Sequence, residues 1–227
     1  MEITCIGHSG FLVEIGEYNL IFDYYTDEKN VITPEMFEGK KTCVFVSHNH
    51  HDHYNRIIFE WRKFVSDDFK SEPHGLEPCS PANPGNIVYI LENDCPAKEE
   101  VLRIGEGDEI SVFDGAVHVK AYGSTDEGVS FLVRVGGFTI FHAGDLNDWY
   151  WEDELSAEEL EEWEENYLKI IRALAGAQID VAFMPEDPRL GVHARRGIEH
   201  FERIVGAGKI VPMHFPGNAG AIDYIIK

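Results

Sequence analysis

Thr42-Cys43-Val44-Phe45-Val46-Ser47-His48-Asn49-His50-His51-Asp52-His53-Tyr54 is the stretch that organises the chain. Its first five residues form a short apolar, β-branched run that reads as a buried strand. Four imidazoles and one carboxylate then occupy five of the six positions from His48 to His53. In an extended segment residues two apart share a direction, so His48 and His50 can approach one cation while His51 points elsewhere. Asp52 and His53 are adjacent and cannot share that direction. A turn into the next segment lets them face a second cation, or the far side of the first. Imidazole with carboxylate suits zinc, and iron or manganese with less preference. The competing reading is a His-rich surface loop, but a cluster of this kind at the end of a buried strand has no packing purpose.

Two later junctions repeat the pattern. Phe138-Thr139-Ile140-Phe141 leads into His142-Ala143-Gly144-Asp145, and Ile210-Val211-Pro212-Met213 leads into His214. Loops at one edge of a β core can converge on one point, and each of these strands ends in a ligand. Helix capping is the alternative for Asp145, and plain surface exposure for His214.

Around these junctions the chain reads as an α/β (α+β) fold in one domain over 1–227. Strands are expected at 3–6, 10–15 and 18–22, then at 42–46, 87–91, 101–104, 109–113, 117–122, 129–135, 138–141, 179–184 and 209–213. Gly105-Glu106-Gly107-Asp108 and Gly136-Gly137 read as hairpin joints. Helices are expected from Pro34, over 54–65 and over 193–205. A longer helix follows Ser156, where Ser156 and Glu159 form a capping box. The glutamates around its apolar stripe read as a solvated face. Residues 66–86 read as a long loop, either a lid or an exposed connection.

A length of 227 residues suits one sizeable core, and the formal charge is −22. That field opposes nucleic acid and anionic lipid, and no basic patch offsets it. Cys5, Cys43, Cys79 and Cys95 contain no CxxC pair, and no apolar run approaches membrane-spanning length, so a reducing cytoplasm is the expected location.

At these residues the chain resembles the metallo-β-lactamase-fold metal-dependent hydrolases. The matched pieces are Gly7-His8-Ser9-Gly10 with Phe22-Asp23, the HxHxDH run, Gly128-Val129-Ser130-Phe131-Leu132-Val133, Gly144-Asp145 and the strand ending at His214. Ile179-Asp180-Val181-Ala182-Phe183-Met184-Pro185 looks most like the branch that contains the ascorbate-phosphate lactonase. The resemblance implies a four-layer αββα sandwich of two mixed sheets. It also implies His48 and His50 on a first metal, Asp52, His53 and His214 on a second, and Asp145 bridging. One departure stands out: aligning on the strand at Val129 puts Ser124 where the family supplies a third histidine to the first metal. A hydroxyl substitutes poorly for imidazole, so Asp126 or water would have to fill the place.

The implied chemistry is hydrolysis of a small-molecule substrate by metal-activated water. Asp52 and Asp145 are the catalytic carboxylates, Asp52 orienting or deprotonating that water. His8, His142 and His193 are candidate proton donors. A phosphorylated sugar lactone or small ester is the first substrate choice, and a phosphodiester the second. Arg189, Arg195 and Arg196 are candidate anchors for an anionic group. A metal-holding scaffold without turnover is the reading from another class.

Overall fold

Strands buried on both faces need apolar residues at every position, and the centre of this chain supplies them. The computed structural model describes residues 1–65 and 86–215. In β4 (Lys41–Val46), Cys43 and Phe45 enter one core while Val44 and Val46 enter another. β3 (Tyr18–Phe22) and β5 (Ile87–Glu92) divide their side chains in the same way. Truncating one such core aromatic, Phe45 for instance, would cost about 3–5 kcal/mol.

With β1 (Glu2–Gly7), β2 (Gly10–Ile15) and β6 (Leu102–Ile104) they make a six-stranded sheet in the order β1-β2-β3-β4-β5-β6. The first three strands form an antiparallel meander, and the pairings from β3 to β6 are parallel. A second six-stranded sheet contains β7 (Glu109–Val112), β8 (Val117–Tyr122), β9 (Ser130–Val135), β10 (Phe138–His142), β11 (Val181–Pro185) and β12 (Lys209–Met213). Its order is β12-β11-β10-β9-β8-β7, antiparallel from β7 to β10 and parallel from β10 to β12.

The larger core lies between the sheets and continues beneath α1 (Ala157–Arg172) and α2 (Arg196–Ile204), which contribute Tyr167, Leu168, Ile171, Ile198 and Phe201. The smaller core covers the opposite face of the first sheet with Phe37, Ile58, Phe59 and Trp61. These layers give the expected αββα sandwich. The Ser156–Glu159 capping box opens α1, each residue's side chain accepting the other's backbone N–H. No helix among the described residues is long and apolar enough to cross a membrane.

Three expectations need correction. The helix expected over 54–65 is a 3-10 helix, Arg56–Phe64, which buries Ile58, Phe59 and Trp61 against the first sheet. The helix expected from 193 begins at Arg196, after a separate 3-10 turn, Pro188–His193, in which Gly191 takes φ 56°. Gly105–Asp108 is not a hairpin: β6 and β7 lie in different sheets, and the turn carries the chain between them. The 66–86 loop lies, but for its last residue, outside the described residues.

Candidate metal centre

The parallel strands deliver their ends to one edge of the sandwich, where ligands of open α/β sheets collect. β3 ends at Asp23, β4 at Ser47-His48, β10 just before Asp145, β11 before Asp187 and β12 at His214. His8 comes from the β1–β2 turn. His8, Asp23 and His214 hold positive φ angles of 48°, 41° and 68°, backbone strain of roughly 1–3 kcal/mol each that recurs at functional sites. Two glycines permit the close approach. A Cβ on Gly128 (φ +74°) would lie 2.0 Å from the Ser47 carbonyl oxygen, and one on Gly144 (φ +54°) 2.9 Å from Ser47 Cβ.

Asp145 stands at the centre. Its Oδ1 lies 3.1 Å from His53 Nε2 and 3.3 Å from His214 Nε2, and its Oδ2 lies 3.3 Å from His48 Nε2. His8 Nε2 lies 3.3 Å from Asp52 Oδ2. The ligand atoms of His8, Asp52, His53 and His214 fall within 4.8 Å of one another, as do those of His48, His53 and Asp145.

The other nitrogen of each ring shows what these contacts are. A carbonyl oxygen only accepts, so His8 Nδ1–H donates to Phe215 O at 3.0 Å. His53 Nδ1–H donates to Asp23 at 2.8 Å, and His214 Nδ1–H to Asp187 at 3.0 Å. Ser47 gives its own proton to Asp23 at 2.6 Å, so its oxygen accepts from His48 Nδ1–H at 2.9 Å. Four imidazoles are thus pinned by outward Nδ1–H groups, and in their neutral form each turns an Nε2 lone pair inward. There the partners are carboxylate oxygens, which are acceptors too. Lone pairs facing lone pairs need a cation between them. In keeping with this, Nε2 of His8, His48 and His53 and Oδ1 of Asp145 are buried without a hydrogen-bond partner despite their proximity. The donor set fits a divalent cation.

Without an ion the cage keeps protons instead. Burial would lower His53, but Asp145 and Asp23 outweigh it and raise its pKa to about 10. The same opposition, with Asp145 and Asp187 prevailing, raises His214 to about 9. Burial alone would raise Asp145; His53, His214 and His48 hold it well below the usual carboxylate range. Burial and the neighbouring His214 lower His8.

Of the residues singled out in the sequence, the structure brings together His48, Asp52, His53, Asp145 and His214. His50 stands at the rim, 43 % exposed, with Nδ1 4.0 Å from Asp145 Oδ2 and Nε2 3.3 Å from Glu127. His8 sits among the ligands rather than on an open loop. His142 is unsuited to proton donation: it is fully buried, its Nε2–H donates to Ser9 O and its Nδ1 accepts the Gly144 N–H. It shapes the turn into Asp145. His193 pairs with Glu152 on the wall of a cleft of about 630 Å³ that Tyr150, Trp151 and Arg189 also line. Arg195 and Arg196 are taken up by Glu186 and by Asp148 with Glu164, whereas Arg189, bound to Asp187, remains half exposed. Asp148, Glu164 and His200 form another acid–histidine trio, but the Arg196 guanidinium already supplies its cation.

Asp23 and Asp187, the carboxylates that hold the imidazoles, were not anticipated as such. Asp23 follows an apolar strand just as the ligands do, and that signal was available. Asp187 sits in an Asp-Pro-Arg turn that looks like ordinary surface.

A family model described as "Beta-lactamase superfamily domain" matches residues 2–162. The chain belongs to that family. Among proteins similar to this β-lactamase superfamily member, a "UPF0173 metal-dependent hydrolase" of Desulforamulus reducens is 30% identical over 161 residues, 64% of this chain and 62% of that protein. The chain therefore spans less than two thirds of the length of the curated relatives it matches. The metallo-beta-lactamase fold protein YhfI from Bacillus subtilis superposes with a TM-score of 0.59 at 14% identity, over 95% of this chain and 86% of that one. Igni18, a metallo hydrolase from Ignicoccus hospitalis, gives 0.54 at 17% identity, over 95% and 82%. At such identities the two structures attest the fold alone.

Proposed function

We propose that this protein is a metal-dependent hydrolase of small esters, lactones or phosphoesters. In this reading His8, His48, His50, Asp52, His53, Asp145 and His214 hold its ions. The observation that carries it is the common orientation of four imidazoles, Nδ1–H bound outward and Nε2 inward, those of His48, His53 and His214 on the two oxygens of Asp145 and that of His8 on Asp52. When bound, paired divalent ions acidify a water and polarise a scissile carbonyl or phosphoryl oxygen.

The chain's own groups supply the rest. Asp145 offers one oxygen to His53 and His214 and the other to His48, the disposition of a bridging carboxylate. Asp52 reaches the cage from its open side, 31 % exposed, where one oxygen can hold an ion while the other takes a proton from water. Asp23 and Asp187 fix ring orientation from behind. Zinc is the metal best suited to the imidazole-rich group of His8, His53 and His214.

Within that class we favour a phosphorylated sugar lactone, the substrate type of the ascorbate-phosphate lactonase branch. Arg189 is the cation in reach of such a group: it lines the 630 Å³ cleft, half exposed, and is held by the same Asp187 that accepts from His214. The net charge of −22 disfavours nucleic acid and anionic membranes as partners. Buried thiols at Cys43 and Cys95, with pKa values raised by burial, are in keeping with a reducing cytoplasm.

The test is elemental analysis of protein purified without added metal, paired with turnover of a sugar lactone, an aryl ester and an aryl phosphodiester. Bound ions, and hydrolysis that stops on chelation and returns with zinc, are the expected results. No ion retained after dialysis against zinc contradicts the reading. Ions without turnover of any substrate would leave a metal-holding scaffold.

A further inference from the structure

Asp148, Glu164 and His200 converge as closely as the metal-facing groups do, yet their imidazole is turned the other way. A guanidinium only donates, so Arg203 fixes His200 Nδ1 as an acceptor and leaves Nε2–H facing Asp148 Oδ2 at 3.5 Å and Glu164 Oε1 at 3.3 Å. Arg196 adds the charge: its Nε donates to Asp148 Oδ2 at 2.9 Å and its Nη2 to Glu164 Oε2 at 2.9 Å. Here donors face acceptors, and the group is a latch rather than an ion cage.

What the latch fastens is the segment that leaves the bridging carboxylate. Asp148 lies three residues beyond Asp145 and is 1 % exposed. Trp149 follows, equally buried; its Nε1–H donates to the Asp145 carbonyl at 3.0 Å, and its ring meets His214 edge-on with centroids 5.3 Å apart. Arg196 also lies 4.1 Å over the Tyr150 ring, so one side chain of α2 grips the residues on both sides of Trp149. The β8–β9 loop ties the segment as well. There the Thr125 hydroxyl donates to Asn147 O at 2.6 Å and accepts the Asn147 N–H at 3.0 Å. Its neighbour Ser124, at the place of the family's third histidine, lines a groove of about 790 Å³ with Trp163 and Asn166 of α1.

His214 thus has two supports, the Trp149 ring and the Asp187 carboxylate, and these are joined to each other. Trp151 stacks on Trp149 with centroids 6.0 Å apart, and Arg189 lies 5.5 Å over Trp151 while it binds Asp187.

We propose that Trp149 is a positioning residue for the metal ligands Asp145 and His214, and that the Arg196–Asp148 pair is the latch that holds it against them. Without Arg196 the Asp148 carboxylate is a buried charge stripped of its cation, and it must turn toward solvent and take Trp149 with it. The inference rests on the metal-centre reading above, and it is tested by comparing variants for ion binding rather than by turnover, so the two fail in different ways.

The experiment is titration of the metal-stripped chain with Co(II), followed by visible absorption and equilibrium dialysis, beside thermal unfolding of the metal-free protein. Trp149→Leu should lower cobalt affinity about 10-fold or more and shift the ligand-field bands. Arg196→Met should shift the same bands and lower affinity about fivefold, and Arg196→Lys should recover most of the loss by returning a cation to Asp148. Tyr167→Phe is the control for a purely structural effect. It removes a buried hydrogen bond to Gly197 O, 2.6 Å long, at the same junction of α1 and α2, and should lower Tm with cobalt affinity and bands unchanged. Trp149→Leu and Arg196→Met that behave like Tyr167→Phe would overturn the proposal while leaving the metal centre intact. Wild type that takes up no cobalt would overturn the metal-centre reading and this inference with it.

Discussion

The two halves of the cage around Asp145 are built differently. On one side His53 and His214 are buried and His8 is partly buried; His53 and His214 are each fixed by a carboxylate and His8 by a backbone carbonyl. On the other, at the rim, His50 is 43 % exposed and its partner Glu127 is 57 % exposed. Buried charge-assisted hydrogen bonds hold geometry tightly, whereas exposed pairs contribute little and yield to solvent. The deep half is preorganised for an ion, and the rim half can gain or lose one. His48 belongs to both halves, since Ser47 ties it to the same Asp23 that holds His53.

Changes aimed at each half should break or sharpen this contrast. The largest effect is expected from Gly128→Ala, whose Cβ would lie 2.0 Å from the Ser47 carbonyl oxygen. The strand end and loop must separate, costing on the order of 3–5 kcal/mol by denaturant titration and loosening both halves at once. Asp23→Asn comes next. Asp23 is fully buried and accepts from Ser47 N–H, Ser47 Oγ–H and His53 Nδ1–H, so an amide there leaves donors unmatched at about 3 kcal/mol. Calorimetry should show ion binding weakened in both halves. Asp187→Asn frees Arg189 and, among the imidazoles, only His214, and the deep ion should bind about 10- to 100-fold more weakly while the rim ion is unchanged.

Acidity separates the halves without mutation. In metal-free protein His53 and His214 have pKa values of about 10 and about 9, above the unperturbed 6.5. Groups raised on folding stabilise fully below 6.5 and lose that contribution as pH rises through 9 and 10. The Tm of chelator-treated protein should therefore fall by several degrees over that range, and zinc should abolish the fall by replacing the protons. Binding must then release protons, so zinc affinity should rise with pH and the binding heat should vary with the buffer. The smallest effect belongs to Glu127→Gln, an exposed pair whose loss should weaken only the rim ion, by about threefold.

Much of this is legible in the sequence. β4 and β5 announce themselves because both faces are buried and the runs Cys43–Val46 and Ile87–Leu91 are apolar throughout, and HxHxDH follows on the first of them. The junctions at Asp145 and His214 repeat the same grammar. What stayed hidden depends on contacts between distant segments. His8 is a lone imidazole in a glycine turn until β12 brings Phe215, 207 residues away, to its Nδ1. His142 reads as a candidate proton donor until Ser9 and Gly144 occupy both its nitrogens. The Arg56–Phe64 segment admits a helical reading at either 3.6 or 3 residues per turn, since Ile58, Phe59 and Trp61 can be buried by both, and the structure takes the latter.

The central claim is that four imidazoles present Nε2, not Nδ1, to a metal shared through Asp145. Long-range ¹H–¹⁵N spectra of histidine-labelled protein loaded with ¹¹³Cd test it most directly. Cadmium coupling to Nε2 of His8, His48, His53 and His214, with Nδ1 protonated in each, is the predicted result. Coupling through Nδ1 of these rings, or no coupling to any of them, would contradict the account.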